Sequence, residues 1–406
     1  MNLWKDSYPI IVLSARGLIP HTSQELLDMG YSIIDTTETT VVVRGSMRDV
    51  MKLNLQLRTG HRVLVPILRT ECHHLRELYE DVYSIEWENI LDADGYFTVN
   101  SVVNNPTIND TRMPSLKAKD AIADRMRQHC GGRPDSGHET YGAAVFVYWQ
   151  ERELIIYLDT TGEPLSRRGY RMMPGKAPMS ETLAAGCVLA SGWKGDTPFV
   201  APMCGSGTPA IEAALIAINR APGSFKSHFA FMSIKGYRIT IPGERAGTSV
   251  RIRFGASPEQ IWKEMVQTAH QEERKENLPP IIASDIDSET MEMAHSNAIA
   301  AGVAEYITFT TCDFAATPLP EAPATIFMNP EYGERMGGDT DLEPLYKRIG
   351  DFFKQKCLGY TACVLTGNME MSRRIGLRSQ RRVPFFNGPI ECRMVVFEKL
   401  YPGNFE

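Results

Sequence analysis

The chain has 406 residues, of which 43% are hydrophobic and 23% charged, and its formal net charge is −6. That length and balance suit a folded protein of two or three domains. They exclude a membrane-spanning chain, since no apolar run approaches the needed length. The start, Met1-Asn2-Leu3-Trp4-Lys5-Asp6-Ser7-Tyr8-Pro9, carries no secretory pattern. Eight cysteines without a Cys-x-x-Cys pair suggest neither a zinc site nor a disulfide framework, so the expectation is a reduced, cytoplasmic protein with no metal.

In chain order, residues 10–14 and 39–44 read as strands around a helix at 23–29, and 47–59 reads as a second helix, which together predict a small split α+β unit over residues 1–61. Over 62–161, strands at 97–103, 143–149 and 153–159 surround a helix at 117–129. Residues 162–178, rich in Gly, Pro and Arg, read as a linker. A capped helix at 180–191 then opens a third unit, 179–406. Its next strand, Phe199-Val200-Ala201-Pro202, runs into Met203-Cys204-Gly205-Ser206-Gly207-Thr208 and a helix from Pro209, giving strand, glycine turn, helix. Residues 219–278 read as an insertion whose Phe225, Phe229, Phe231 and Tyr237 suit a packed flap or a base-stacking surface. Strands follow at 281–285, 306–311 and 324–328, the first leading into a helix at 289–301. The final strands lie at 360–366, 382–386 and 390–400, with Gly388-Pro389 as a turn.

The glycine loop also fits Gly-x-Gly-x-x-Ala, a dinucleotide fingerprint. That reading requires an acid at a second strand end about 20 residues on, and Ala221-Pro222-Gly223-Ser224-Phe225-Lys226 supplies neither strand nor acid. Acids arrive instead at later strand ends. Asp285, followed by Ile286, is the candidate for a ribose diol; Asp313 is the candidate for an adenine amine, with Phe314 against the ring. Each acid alone is more often a helix cap or a solvated loop residue. Cys204 reads as a small packed thiol rather than a nucleophile, because no base can be placed beside it.

The fourth strand end is Asn329-Pro330-Glu331-Tyr332, where Pro330 forbids the strand from continuing. By itself this is equally an ordinary strand-ending turn. Its other reading is chemical. The Asn329 side-chain carbonyl and the Pro330 backbone carbonyl are two acceptors for one exocyclic NH2 group, which would turn its lone pair toward an electrophilic methyl, and Tyr332 offers a ring on which a base can stack. The glycine loop, Asp285, Asp313 and Asn329 occur in that order on successive strand ends, where open α/β sheets bind ligands.

These features, with Leu165-Ser166-Arg167-Arg168-Gly169-Tyr170-Arg171, Ala177-Pro178-Met179-Ser180-Glu181-Thr182-Leu183-Ala184-Ala185, Leu365-Thr366-Gly367-Asn368 and Phe386-Asn387-Gly388-Pro389-Ile390-Glu391-Cys392-Arg393, resemble the THUMP-domain class I S-adenosylmethionine methyltransferases, in particular the group similar to the bacterial large-subunit (23S) ribosomal RNA guanine-N2 methyltransferase. The likeness covers nearly the whole chain. It implies an α/β fold in which a Rossmann-like methyltransferase domain follows an α+β ferredoxin-like unit (1–61) and a THUMP RNA-binding domain (62–161). It implies S-adenosyl-L-methionine as cofactor, held by Met179, Pro202, Cys204, Gly205, Gly207, Thr208, Asp285, Ile286, Asp313, Phe314 and Asn329, with Asn329, Pro330 and Tyr332 catalytic. The implied activity forms N2-methylguanosine in rRNA processing, on 23S rRNA or a large-subunit precursor, with no membrane or metal partner. Three positions depart from the family pattern. Ala201 stands for the usual Asp and removes a carboxylate near the methionine moiety, Pro209 stands for Leu, and Glu331 stands for the second proline of the turn.

An RNA partner must act on local patches, because residues 1–176 carry 20 basic and 23 acidic groups and 177–406 carry 23 and 26. Arg112, Lys117 and Lys119 form one candidate patch, and Arg373, Arg374, Arg378, Arg381 and Arg382 a second; a solvated charged surface is the plain alternative for both. Two other functions fit the residues: an adenine-N6 methyltransferase on RNA or DNA, and a catalytically silent RNA-binding or assembly protein with a methyltransferase fold.

Overall fold

The computed structural model describes residues 2–139, 141–171, 179–238, 256–331 and 342–402. The chain divides into two compact units. The first comprises Met1–Ser14, Leu26–Leu165 and Lys226–Thr268; the second comprises Ala15–Glu25, Ser166–Phe225 and Ala269–Glu406.

In the first unit, strands β1 (Tyr8–Ser14), β2 (Asp35–Thr36), β3 (Thr40–Gly45), β4 (Gly60–Glu71), β5 (Tyr96–Asn104), β6 (Asp135–Ser136), β7 (Ala143–Gln150) and β8 (Glu153–Asp159) form one sheet in the order β2-β3-β1-β4-β8-β7-β5-β6. Strand β4 was not anticipated and joins the two halves: it pairs with β1 from Gly60 to Leu64 and with β8 from Leu64 to Glu71. The register shifts between Pro66 and Leu68, where a proline without an N–H cannot serve the ladder. The boundary expected at residue 62 therefore lies inside a shared strand. Between β7 and β8 the hairpin closes with Glu151 at φ 53°, the left-handed conformation that a two-residue turn demands. The helix at 117–129 extends to Met113–Cys130, begun by Pro114 and ended by Gly131 at φ 70°.

The described part of the insertion packs its aromatic rings inward and does not present them as a base-stacking surface. Phe229, Phe231 and Tyr237 are buried, and Trp262, from the unanticipated helix Pro258–Gln271, meets the rings of Phe229 and Phe231 edge-on at 5.3 and 5.2 Å. Residues 226–268 belong with the first unit although both flanks belong to the second. Phe225 stays with the second, edge-on to Tyr170 at 6.0 Å.

The second unit is a seven-stranded sheet of β9 (Phe199–Pro202), β10 (Ile281–Asp285), β11 (Ile307–Thr311), β12 (Thr325–Met328), β13 (Thr361–Thr366), β14 (Arg381–Asn387) and β15 (Ile390–Phe397). Its order is β11-β10-β9-β12-β13-β15-β14, parallel up to β13 and antiparallel beyond. Alternate residues face opposite layers. Phe199, Ala201, Ala283 and Phe327 pack against helices Glu181–Ala190, Thr208–Ala217 and Ser288–Ala300, while Val200, Ile326, Met328 and Val364 pack against helix Glu343–Lys356. The strand order reverses between β9 and β12, which opens a crevice at their carboxyl ends. The expected architecture, α+β ferredoxin-like and THUMP regions before a Rossmann-like domain, is the one observed. No helix among the described residues is long and apolar enough to cross a membrane.

Candidate active site

The glycine loop leaves β9 with three residues at positive φ: Met203 at 53°, Gly205 at 54° and Gly207 at 82°. Three bonds hold it. Cys204 N–H donates to Ser284 O (3.0 Å), Gly205 N–H donates to the Asp285 carboxylate (3.0 Å), and the buried Asn297 side chain donates to Ser206 O (3.0 Å). A Cβ on Gly207 would lie 3.0 Å from that of Ala294, so glycine lets helix Ser288–Ala300 close in. A Cβ on Gly205 would meet no protein atom within 4 Å. Gly205 therefore faces open space at the crevice, a cradle fitted to a ligand. The Cys204 thiol is buried, lies 3.7 Å from the Met291 sulfur, and is pushed far above the usual thiol range by burial. It is a packed side chain.

Asp285 ends β10 with one oxygen on Gly205 N–H and the other accepting from Asp287 N–H at 3.3 Å. It braces the loop. Ile286 beside it is 71% exposed and offers an apolar surface. Asp285→Ala is expected to raise the dissociation constant for S-adenosylhomocysteine about 10- to 100-fold, by loss of charge-assisted hydrogen bonds. Isothermal titration checks this, and unchanged affinity would remove the ribose role.

Asp313 caps Ala315 N–H at 2.9 Å and takes Arg348 Nη2 on both oxygens, at 2.8 and 2.9 Å. Burial raises its pKa, but the Arg348 and backbone bonds outweigh this and hold the carboxyl below the usual range. Phe314 does not present its ring. It is 4% exposed, edge-on to Phe352 at 5.7 Å, and the Arg348 guanidinium lies 4.9 Å over it. An apolar side chain at a sheet end gains more from the core than from a solvent-open edge. Met179 is likewise a core side chain, and its carbonyl accepts from Arg171 Nη2 at 2.7 Å. Thr208 Oγ1 accepts from the same Arg171 nitrogen at 3.2 Å, while Pro202 is buried at the end of β9.

At the end of β12, Asn329 and Pro330 leave the sheet; Tyr332 lies outside the described residues, as does Met172-Met173-Pro174-Gly175-Lys176-Ala177-Pro178 of the expected linker. The Asn329 side-chain oxygen is buried and has no hydrogen-bond partner among the described residues. Buried polar atoms are nearly always satisfied, and an orphan acceptor costs about 1–3 kcal/mol. One residue here was not anticipated. Tyr346, fully buried on helix Glu343–Lys356, donates to Glu331 O at 3.3 Å and shares a 2.7 Å bond with Thr366 Oγ1, so it ties the turn to the end of β13. In sequence it is an ordinary apolar-face residue with Leu342, Ile349 and Phe353. Tyr346→Phe is expected to cost about 1 kcal/mol of stability and to slow turnover roughly tenfold by loosening the turn. Single-turnover kinetics beside a cofactor titration would check this, with affinity unchanged.

A buried ion pair supports the whole arrangement. Arg168, 1% exposed, donates Nε to Glu212 Oε1 (2.8 Å) and Nη2 to Oε2 (3.1 Å), and Tyr170 OH donates to Oε1 (2.9 Å). This pins residues 168–170 to helix Thr208–Ala217, directly behind the glycine loop.

The basic patches are less uniform than their spacing suggests. Arg112 forms a fork with Asp110 at 3.0 and 2.9 Å, and Lys117 lies 5.6 Å over the Tyr79 ring; Lys119 is half-buried. Arg373 and Arg378 are exposed, and Arg374 lies 3.5 Å from Glu343. Arg381 is taken by Glu398 (2.6 Å) and Ala190 O (3.0 Å), and Arg382 donates to Ser379 Oγ (3.2 Å). Arg381 is thus a strand-anchoring side chain, and its removal would mix structural with binding effects. Among the described residues no group of three or more His, Cys, Asp or Glu could hold a metal.

Residues 168–396 match the model for the RMKL-like methyltransferase domain, residues 9–64 that for the RlmL ferredoxin-like domain, and residues 72–159 that for the THUMP domain. A Synechocystis protein named as a candidate RNA methyltransferase, slr0064, is 31% identical over 390 residues, 96% of each chain. The ribosomal RNA large subunit methyltransferase K/L of Methylococcus capsulatus is 32% identical over 393 residues; these are 94% of this chain but only 50% of that protein. The crystal structure of SMU.472, a candidate methyltransferase complexed with S-adenosylhomocysteine (SAH), superposes with a TM-score of 0.83 over 98% of this chain and 99% of the other at 23% identity, a likeness of fold. The crevice, its open glycine loop and its acid at the end of β10 suit S-adenosylmethionine, the cofactor of this fold. With the matches to domain and relative, they place the chain in the RMKL-like methyltransferase family.

Proposed function

We propose that the chain is an RNA methyltransferase that places a methyl group on N2 of a guanine in large-subunit ribosomal RNA. The observation that carries this reading is the orphan acceptor of Asn329 at the end of β12. The THUMP match and the names of the relatives support RNA as the substrate. In this reading Asp285, Ile286 and the Cys204-to-Thr208 loop hold the cofactor. When bound, S-adenosylmethionine supplies an electrophilic methyl whose leaving group is a neutral thioether. Asn329 Oδ1 and Pro330 O accept the two hydrogens of the exocyclic amine and aim its lone pair. A nitrogen–carbon bond forms as the sulfur–carbon bond breaks, the sulfur keeps the electron pair, and the surplus amine proton passes to water. Tyr332 stacks on the extruded base. Positioning supplies most of the rate. Ala201, buried in β9, leaves the methionine moiety without the family's usual acid.

The test is tritium transfer from labelled S-adenosylmethionine to unmethylated large-subunit RNA, followed by nucleoside mass spectrometry. Label in N2-methylguanosine is the expected result. Label in N6-methyladenosine overturns the base, and no label together with a flat cofactor titration leaves the silent, RNA-binding role.

A further inference from the structure

At the carboxyl ends of β4, β5 and β7 the first unit carries a cavity of about 1370 Å³, lined in part by Arg69, Asn104, Tyr148, Gln150, Arg152 and Glu153. The sheet register sets out its floor. Tyr148 pairs with Val102 of β5 and with Ile155 of β8, and the next row on the same face is Asn104, Gln150 and Glu153. Paired residues point the same way and side chains alternate along each strand, so Val102, Tyr148 and Ile155 form an apolar floor. Asn104 and Gln150 stand at its rim, on neighbouring strands about 4.8 Å apart. Val147, Trp149, Leu154 and Ile156 are fully buried on the opposite face, whereas Val102 is 53% exposed and Tyr148 half-buried. The floor is therefore the solvent face of the sheet.

The walls are fixed by the chain's own bonds. Asn105 Nδ2 donates to Glu151 O (2.5 Å) and its Oδ1 accepts from Thr107 N–H (2.8 Å), which shapes the loop after β5. On the other side Arg69 is paired with Glu153. The rim keeps hydrogen-bonding capacity. Gln150 Oε1 accepts from Tyr148 OH (2.7 Å), which leaves its NH2 group to donate. The side chains of Asn104 and Arg152 are exposed and have no partner among the described residues.

Three properties select the ligand. The volume exceeds the roughly 300–1,000 Å³ of small-molecule pockets, so the cavity suits a segment of a polymer. Arg69 and Arg152 are matched by Glu71, Glu151 and Glu153, so no surplus of positive charge draws phosphates onto the floor. An aromatic floor with amides at its rim instead suits a flat, uncharged ring that stacks and offers donors and acceptors along its edge, as an unpaired nucleobase does.

We propose that this cavity captures an unpaired base of the RNA substrate, stacked on Tyr148 with its edge met by Gln150 and Asn104, while Arg152 contacts a flanking phosphate. The assignment rests on the RNA part of the reading above. It gives the THUMP-matched residues 72–159 a site for single-stranded rather than helical RNA.

The experiment is fluorescence anisotropy of the full chain with a labelled single-stranded RNA decamer of mixed sequence, the same decamer with its four central residues abasic, and its duplex. The wild type is expected to bind the abasic decamer about 10- to 100-fold more weakly than the intact one. Tyr148→Ala should show a similar loss on the intact decamer and no further loss on the abasic one, with unchanged affinity for S-adenosylhomocysteine. Tyr148→Phe, which keeps the ring, should bind like the wild type. Equal abasic losses in wild type and Tyr148→Ala would place the base contacts elsewhere and overturn the assignment. So would a Tyr148→Phe variant as weak as Tyr148→Ala, or a wild type that binds the duplex as tightly as the single strand or binds neither. Because no methyl transfer is read, absence of N2-methylguanosine would overturn the parent reading alone, and loss of base-dependent binding would overturn this one alone.

Discussion

Asn329→Ala is expected to lower kcat on RNA by about 100- to 1000-fold, the scale seen when one preorganised hydrogen-bonding group is removed from a reacting centre. The affinity for S-adenosylhomocysteine should change little. The side-chain oxygen is buried without a partner among the described residues, so its removal relieves an unsatisfied group rather than breaking a structural bond, and thermal stability should hold or rise slightly. Turnover by rapid quench and binding by calorimetry separate the two effects. Equal loss of both would make the residue a structural one.

Glu212→Ala is expected to destabilise the protein by about 3–5 kcal/mol, because it leaves the Arg168 guanidinium buried without its counter-charge. The pair is fully enclosed, with both Glu212 oxygens engaged by Arg168 and Tyr170. Replacing both partners, with Arg168→Met and Glu212→Leu, should recover much of the loss, since two well-packed apolar groups avoid the desolvation of two ions. Urea denaturation of the single and double variants would check this. A single variant within 1 kcal/mol of wild type would show that water reaches the pair. Because this pair lies behind the glycine loop, cofactor affinity should fall with stability in Glu212→Ala and return in the double variant.

Much of the catalytic sheet was legible in the chain itself. The strands that end at Pro202, Asp285 and Met328 are short apolar runs stopped by local punctuation: a Gly-Ser-Gly turn, an Asp that precedes a helix cap, and an Asn-Pro pair. Parallel strands buried on both faces are apolar at every position, so their limits are written locally. For the same reason the order of Gly205, Asp285, Asp313 and Asn329 on successive strand ends could be read in advance. The capped starts of helices Glu181–Ala190 and Ser288–Ala300 were also local, because Ser180 and Asp287 bond to backbone N–H groups two or three residues on.

What only the tertiary structure decided depends on partners far away in sequence. Strand β4 escaped notice because its two halves are stabilised by different strands, one about 50 and the other about 90 residues distant, so neither half carries a strong pattern of its own. The insertion's aromatic residues read alike as flap or stacking surface until Trp262 covered them. Charges were the least legible of all. Arg348 on Asp313, Glu398 on Arg381 and Asp110 on Arg112 engage apparent ligand groups or phosphate contacts in exposed ion pairs within the chain, and sequence spacing gives no measure of a Coulomb or hydrogen-bond interaction that acts only within a few ångströms. The chain by itself determined which residue types stand at the strand ends, since backbone punctuation is local. Folding decided which of those groups remain available to a ligand, since availability is set by whichever neighbour the packed structure brings within reach.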